Sequence, residues 1–546
     1  MTQPSTPTGD RRQKNLARLA QEPLDVLILG GGINGASAAA SLSARGLKVG
    51  LVDRADFASG TSSQTSNLAW GGIKYLESGE VGLVRSLCRS RNRLMAAYPA
   101  SIREMRFLTS VPKGFRKPAW LVYAGALLYW ALGSFHTGMP RYLRRGELKR
   151  REPAIAAAPV AGAFEYSDAF FVDNDARFVF SFIRRALDHG AAIANYVEAT
   201  AARRTGGRWE VELKDARTGQ SMSASARILI NTCGPQADAM NSRSQVGTRH
   251  HHILSKGVHL IVDQVTPNPR VLTFFASDGR PFFIIPMGRR TCIGTTDTPS
   301  DHPEVTVTEA DREFLLDNAN RVLALARPLD RDDIIAERCG VRPLATDGQS
   351  ATTDWIALSR KHHVEVKIPE QHISVFGGKF TDCLNIGEEL ADAVASLGLP
   401  LQASQDVWYG EGNNDARDTF TRQAKAQSLD DHTAPHATEP LSERYWRRYG
   451  AGALRLLEVI AENPELAQTL TSELELTHAE LAFVADREMV TRLDDFLRRR
   501  TRISLVHREG ALRSSGALQL IAKALFGDAA GEAIAEYENR SAQEVA

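Results

Sequence analysis

Cysteine is scarce in this chain of 546 residues: Cys88, Cys233, Cys292, Cys339 and Cys383 are far apart, odd in number and never spaced as CxxC. That pattern supplies neither a disulfide framework nor a zinc site, and it suits a reducing compartment. Net charge is also lacking, since 66 Lys+Arg stand against 65 Asp+Glu for a formal +1. With no general field to gather nucleic acid, no nucleic-acid partner is expected, and any anion site must be local. The longest apolar run, "AWLVYAGALLYWALG" from Ala119 to Gly133, has 15 residues, short of the roughly 20 that a membrane-crossing helix needs. The first residues are basic but carry no apolar core with a small-residue cleavage site, so no secretory signal is read there. Residues 1–23 are expected to be a mobile arm. No internal repeat or low-complexity tract interrupts the chain.

What is present begins at Asp25 with "DVLILGGGINGASAAASLSARGLKVGLVDRADFASGTSS". An apolar strand, a glycine turn, a small-residue helix and a second strand ending at Asp53 make a βαβ unit. Gly30, Gly32 and Gly35 form G-x-G-x-x-G, which permits a tight turn, close backbone approach to a pyrophosphate, and tight packing of helix on strand. Asp53, about 20 residues on, can accept hydrogen bonds from adenosine ribose hydroxyls. Dinucleotide binding follows, although the fingerprint alone does not separate NAD from FAD.

Further along come "GTSSQTSNLAWGGIKYLE", "FEYSDAFFVDNDARFVF", "LINTCGPQAD", "SKGVHLIV", "RPFFIIPMGRRTCIGTTDT", "CGVRPL" and "SVFGGKFTD", in that order. Taken with the first motif, this series resembles the FAD-dependent aerobic glycerol-3-phosphate dehydrogenases, within the D-amino-acid-oxidase-like flavoprotein superfamily. The resemblance covers nearly the whole chain. It implies an α/β fold in which a doubly wound Rossmann-type FAD-binding domain is interleaved with an antiparallel-sheet substrate domain, plus a C-terminal helical domain. On that plan, segments of about 24–98, 161–245 and 346–400 bind the cofactor, and about 99–160 and 246–345 build the substrate domain. A polar, breaker-rich stretch at 401–440 reads as a linker, and 441–546, with apolar residues at helical spacing, as the helical domain.

The resemblance also implies oxidation of sn-glycerol 3-phosphate to dihydroxyacetone phosphate, with noncovalent FAD and a membrane quinone as electron acceptor. Removing a hydride from a secondary alcohol needs a base for the hydroxyl proton, and His259 in "KGVHL" is the candidate; a satisfied structural histidine is the alternative. A phosphorylated substrate calls for cations. Arg342 offers a planar fork, and Lys379 in "FGGKFT" can touch flavin, phosphate or both. Gly378, Lys379, Phe380 and Thr381 open a helix whose positive end suits a reduced flavin. Ser62, Ser63 and Ser66 are small donors in the loop on the cofactor side, and Gly71 and Gly72 are expected to let the backbone approach the cofactor.

Where the family usually has Lys, His and Arg, this chain has Asn67, Trp70 and Lys74, while Tyr75 is kept. Lys74 and Tyr75 are candidate substrate contacts. If the changed positions line the pocket, another hydroxy or amino compound becomes the alternative substrate of an oxidase or dehydrogenase with the same fold. Three adjacent histidines, His250 to His252, alternate between strand faces, so no metal is expected. The apolar run beside Lys113, Arg116 and Lys117 suits an interfacial segment, or equally a buried helix within the substrate domain. The resemblance implies the former, with the protein in the cytoplasm, peripherally on the inner face of the cytoplasmic membrane, and a homodimer is compatible with the family. The cluster "RRRTR", Arg498 to Arg502, reads as a solvated helix face.

Overall fold

The computed structural model describes residues 9–115, 117–155, 160–347, 361–403 and 407–545. Arg116 and other parts of the first substrate segment, and part of the third cofactor segment, lie outside them. Leu24–Leu29, apolar and almost wholly buried, is the centre of the first sheet. It pairs in parallel with Val49–Val52 on one side and Ser221–Asn231 on the other. Ala192–Ala194 and His372–Phe376 extend the sheet in parallel at the two sides, and His363–Lys367 closes one edge antiparallel. A continuous apolar strand is what a parallel sheet covered on both faces requires. The helix Ile33–Ser43, "INGASAAASLS", is small enough to lie close on it. At Gly35 a Cβ would sit 1.9 Å from the Gly30 carbonyl oxygen, so only glycine permits that approach.

The second sheet is mostly antiparallel and has His251–Asp263 near one side, flanked by Arg290–Gly294 and Ala336–Thr346. It continues through Pro281–Met287 and Arg270–Phe275 to Ile102–Pro112, Val160–Phe171 and Leu68–Ala69. The α/β class with two interleaved sheets is as expected. One boundary moves: Val160–Phe171, expected to open a cofactor segment, runs beside Ile102–Pro112 in the second sheet, with Met105 opposite Asp168. The short strand Leu68–Ala69 pairs with it there.

Three other expectations are corrected. Gly9–Gln21 is a helix rather than a mobile arm, because Leu16 and Leu19 are buried against the first sheet while Arg12 pairs with Asp215 at 2.9 Å. The stretch read as a linker contains the helix Asn414–Ala426, capped by Asn413, with Phe420 and Ala424 in the C-terminal core beside Trp446. The "RRRTR" cluster is not solvated. Arg499 and Arg500 are buried and both pair with buried Asp56, at 2.7 and 2.8 Å. Arg500 grips both Asp56 oxygens, and Tyr196 and Arg499 hold Asp495 alongside. Nearby, Arg447 and Arg448 pair with Asp173, and Arg177 with Glu488. These partners lie hundreds of positions apart, so the local charge run gave no sign of them.

Burial alone would raise the Asp56 pKa, but Arg500 and Arg499 hold it below the usual carboxylate range. Removing one partner of such a cluster strands buried charge, so Asp56→Asn should cost about 3–5 kcal/mol in equilibrium unfolding. The contribution is fully present above the unfolded carboxylate value, about 3.9, and fades as pH falls below it. The stability gap between wild type and Asp56→Asn should therefore narrow in acid; a gap independent of pH would refute the assignment.

Candidate active site

The glycine turn and the end of the second strand form one wall of a cleft of about 570 Å³, lined by Gly30, Gly32, Asp53, Ser62, Gly378 and Phe380 among others. The Asp53 carboxylate accepts the N–H groups of Gly31 and Ala55, at 2.6 and 2.9 Å. Burial nevertheless pushes its pKa up to about 6. A carboxylate in that position favours further donors, which two ribose hydroxyls supply. Ser62 Oγ accepts the Ile33 N–H at 3.0 Å, tying the serine loop to the helix start where a pyrophosphate would rest. The donor set and the cleft fit FAD.

A second cavity of about 230 Å³ adjoins the first, sharing Thr61, Gln64, Thr65, Gly340, Val341 and Phe380. Three neighbouring strands build its polar wall. His259 stands opposite Gly294 on one side and Arg338 on the other. A Cβ on Gly294 would lie 2.4 Å from His259 Cδ2, and one on Gly257 would lie 2.2 Å from Arg342 Nη2. Two glycines thus vacate the space that the imidazole and the guanidinium occupy. This is the physical content of the "KGVHL" and "IGTTD" motifs.

His259 is buried, with Nε2 2.9 Å from Ser66 Oγ, while Nδ1 has no hydrogen-bond partner among the described residues. Burial, with the charges of Arg342 and Arg338, holds its pKa well below 6.5, so the ring is neutral at neutral pH. Arg342 donates to Thr295 Oγ1 (2.8 Å) and to the Thr296 carbonyl (3.3 Å), and lies 3.4 Å from Asp297. The turn after Gly294 therefore aims its fork. Lys379 Nζ lies 5.0 Å from the ring centre of Trp70 and 4.4 Å from that of Tyr75.

Of the residues singled out in the sequence, Gly30, Gly32, Asp53, Ser62, Gly378 and Phe380 line the first cavity. His259, Arg342, Lys379, Phe380 and Thr381 line the second. Gly35, Ser63, Gly71, Gly72, Lys74 and Tyr75 line neither. Ser63 turns its hydroxyl to the Gly60 carbonyl. Gly71 is a glycine because the Tyr129 hydroxyl fills its Cβ position at 2.2 Å, and Gly72, at φ +79°, because the Tyr75 ring does so at 2.5 Å. Both glycines are thus required by packing against protein side chains. Tyr75 lies between the two lysines, Lys74 Nζ being 5.4 Å from its ring centre, and so supports Lys379 from outside the cavity.

The three departures from the family pattern separate cleanly. Trp70 is on the cavity wall, edge-on to Phe283 at 6.0 Å and donating to the Tyr166 hydroxyl at 3.3 Å. Asn67 is frame: at φ +55°, a conformation asparagine tolerates well, its side chain accepts from Arg338 at 3.0 Å. Ser66 and Arg338 escaped detection as partners of His259 because one is 193 positions away and the other on a neighbouring strand. His250, His251 and His252 face Glu365, Asp238 and the Gly377 N–H respectively.

The family described as "FAD dependent oxidoreductase" matches residues 25–378, and "C-terminal domain of alpha-glycerophosphate oxidase" matches residues 411–530. The chain is 32% identical over 499 residues to the aerobic glycerol-3-phosphate dehydrogenase of Escherichia coli (strain K12), covering 88% of this chain and 94% of that one. It is also 32% identical over 496 residues to the D-erythritol 1-phosphate dehydrogenase of Brucella abortus (strain 2308), again covering 88% and 94%. A solved glycerol-3-phosphate dehydrogenase from Bacillus halodurans, complexed with FAD, shares the fold at TM-score 0.74 and 24% identity, covering 98% and 97% of the two chains. Motif order, fold and these similarities agree, and the chain belongs to the family of FAD-dependent glycerol-3-phosphate dehydrogenases.

Proposed function

We propose that this protein oxidises the secondary alcohol of sn-glycerol 3-phosphate to dihydroxyacetone phosphate and delivers the electrons to a membrane quinone. The observation that carries the reading is the meeting of a neutral buried histidine, an aimed guanidinium and an ammonium on one small cavity opening into the cofactor cleft. FAD, when bound, supplies the two-electron acceptor. Arg342 grips the phosphate through two oxygens, and Lys379, steadied by the Trp70 and Tyr75 rings, adds a second positive charge. His259 Nε2 takes up the hydroxyl proton through Ser66, whose Oγ gives its own proton to the ring and receives the substrate's.

Trp70 supports a second reading, in which another phosphorylated polyol, or a different hydroxy or amino compound, is the substrate. It replaces the family's usual histidine on the cavity wall itself, and one relative is named for a four-carbon phosphate. Anaerobic mixing of the FAD-loaded protein with glycerol 3-phosphate, glycerol and D-erythritol 1-phosphate should bleach the visible flavin band with the first. Bleaching by D-erythritol 1-phosphate alone would transfer the assignment to it, and bleaching by unphosphorylated glycerol would remove the role given to Arg342.

His259→Asn should lower the bleaching rate by a factor of about 10²–10⁴, the usual worth of a positioned base. Since the base is protonated as pH falls through a pKa held below 6.5, the wild-type rate should be lost on an acid limb centred below that value, and the limb should vanish in His259→Asn. A limb unchanged in the variant would assign the proton to another group.

Quinone delivery requires a surface that meets the bilayer, and the helix Ala119–Leu132 supports one. Trp120 is 65% exposed, Leu128 48%, and Phe135 just beyond is 61% exposed. Exposed Lys113 precedes the helix in the chain and exposed Arg141, Arg144 and Arg145 follow it, the combination of apolar residues and cations that lies on anionic lipid. No helix among the described residues is long and apolar enough to cross a membrane. Replacing Trp120 and Leu128 by Ser should abolish flotation with anionic vesicles and leave bleaching by substrate intact; retained flotation would place attachment elsewhere.

A further inference from the structure

The cofactor cleft has a wall from the far end of the chain. Arg540, on the helix Ala530–Val545, lines it, as do Asp53, Arg54, Arg243, Glu198 and Glu304. The family's C-terminal match stops at residue 530, so nearly all of this helix lies past it. Its position is fixed by side chains from three directions. Glu536, one turn before Arg540, is held by Arg217 at 2.8 Å and Arg492 at 2.9 Å; Glu538 lies 3.4 Å from Arg513; and Tyr537 is buried in the helical core.

The acidic groups at that end of the cleft have partners of their own, Glu304 with Arg54 at 3.4 Å and Glu198 with Arg243 at 3.0 Å. Glu536 is already shared by two arginines. A guanidinium brought by a pinned helix to the cleft that also holds the Asp53 carboxylate is suited to an aromatic base face or a sugar–phosphate edge. We infer that Arg540 is a cofactor-binding residue that closes the adenosine end of the FAD cleft, so that the C-terminal helix secures the cofactor without touching the chemistry.

The test is titration of apoprotein with FAD, following flavin fluorescence, and separately with ADP, by calorimetry. Arg540→Ala should raise the FAD dissociation constant about tenfold, the loss of one good charged contact, and weaken ADP in parallel. Arg540→Lys should recover part of the loss. At saturating FAD, bleaching by substrate should equal wild type, which separates this result from any failure of the proposed reaction. An FAD dissociation constant within twofold of wild type in Arg540→Ala would overturn the inference. Weaker FAD binding with unchanged ADP binding would overturn the adenosine assignment. Equal thermal unfolding of the apoproteins guards against a trivial loss of fold.

Discussion

The grip of Arg499 and Arg500 on Asp56 is the constraint on which the arrangement of this protein rests. All three side chains are buried, so each would cost several kcal/mol to desolvate alone, and only mutual pairing makes their burial tolerable. Asp56 stands three positions after Asp53, which lines the first cleft, so the C-terminal unit is locked to the rim of that cleft. The neighbouring Arg498 donates to the Glu337 carbonyl, and Arg338 next to it donates to Thr65 and Asn67. A continuous set of contacts therefore runs from the helical unit to the loop that carries Ser66. Buried charge of this kind tolerates little variation in geometry, which is what a site assembled from distant segments requires.

The electrostatics of the second cavity have a consequence for substrate choice under the proposed reaction. Burial and two arginines keep His259 neutral but also make it a weak base. A phosphate group brings roughly −1.5 to −2 charges, and seated on Arg342 it offsets the cation that depresses the histidine. Proton affinity of the ring then rises only when the phosphorylated substrate is in place. An uncharged polyol fills part of the same space but leaves the base weak. Charge recognition and base strength are two effects of one guanidinium.

The βαβ unit and its fingerprint were legible because they are local, with each residue's task set within about 30 positions. His259, Arg342 and Lys379 were legible through the order of their motifs, and the structure places all three on one cavity. What escaped is what depends on distant partners. Ser66 read as a serine of the cofactor loop, not as the partner of an imidazole. The arginines of "RRRTR" read as solvated because Asp56 lies far back in the chain. The packing role of Gly71 and Gly72 was also hidden, because a glycine's missing side chain shows that something is close, not what it is; Tyr129 and Tyr75 occupy that space. The first helix escaped because two buried leucines decide its place amid polar neighbours.

The departures at Asn67, Trp70 and Lys74 looked like one change, yet they act at three distances from the cavity. Asn67 serves a left-handed turn and the Arg338 contact, so its effect on substrate passes only through the position of the loop. Lys74 reaches the site through the Tyr75 ring, which it shares with Lys379, and a longer or more rigid cation there would alter how firmly that ring holds the second lysine. Trp70 alone meets the cavity. Its ring provides one of the two faces over which the Lys379 ammonium sits, an interaction worth about 0.5–2 kcal/mol depending on desolvation. Its bulk also sets how much room remains beside Phe283. A histidine there would be smaller and itself ionisable, competing with His259 for the proton and repelling Lys379 when charged. The indole of Trp70 cannot titrate, so under the proposed reaction the proton chemistry of the polar wall falls to His259 and Ser66.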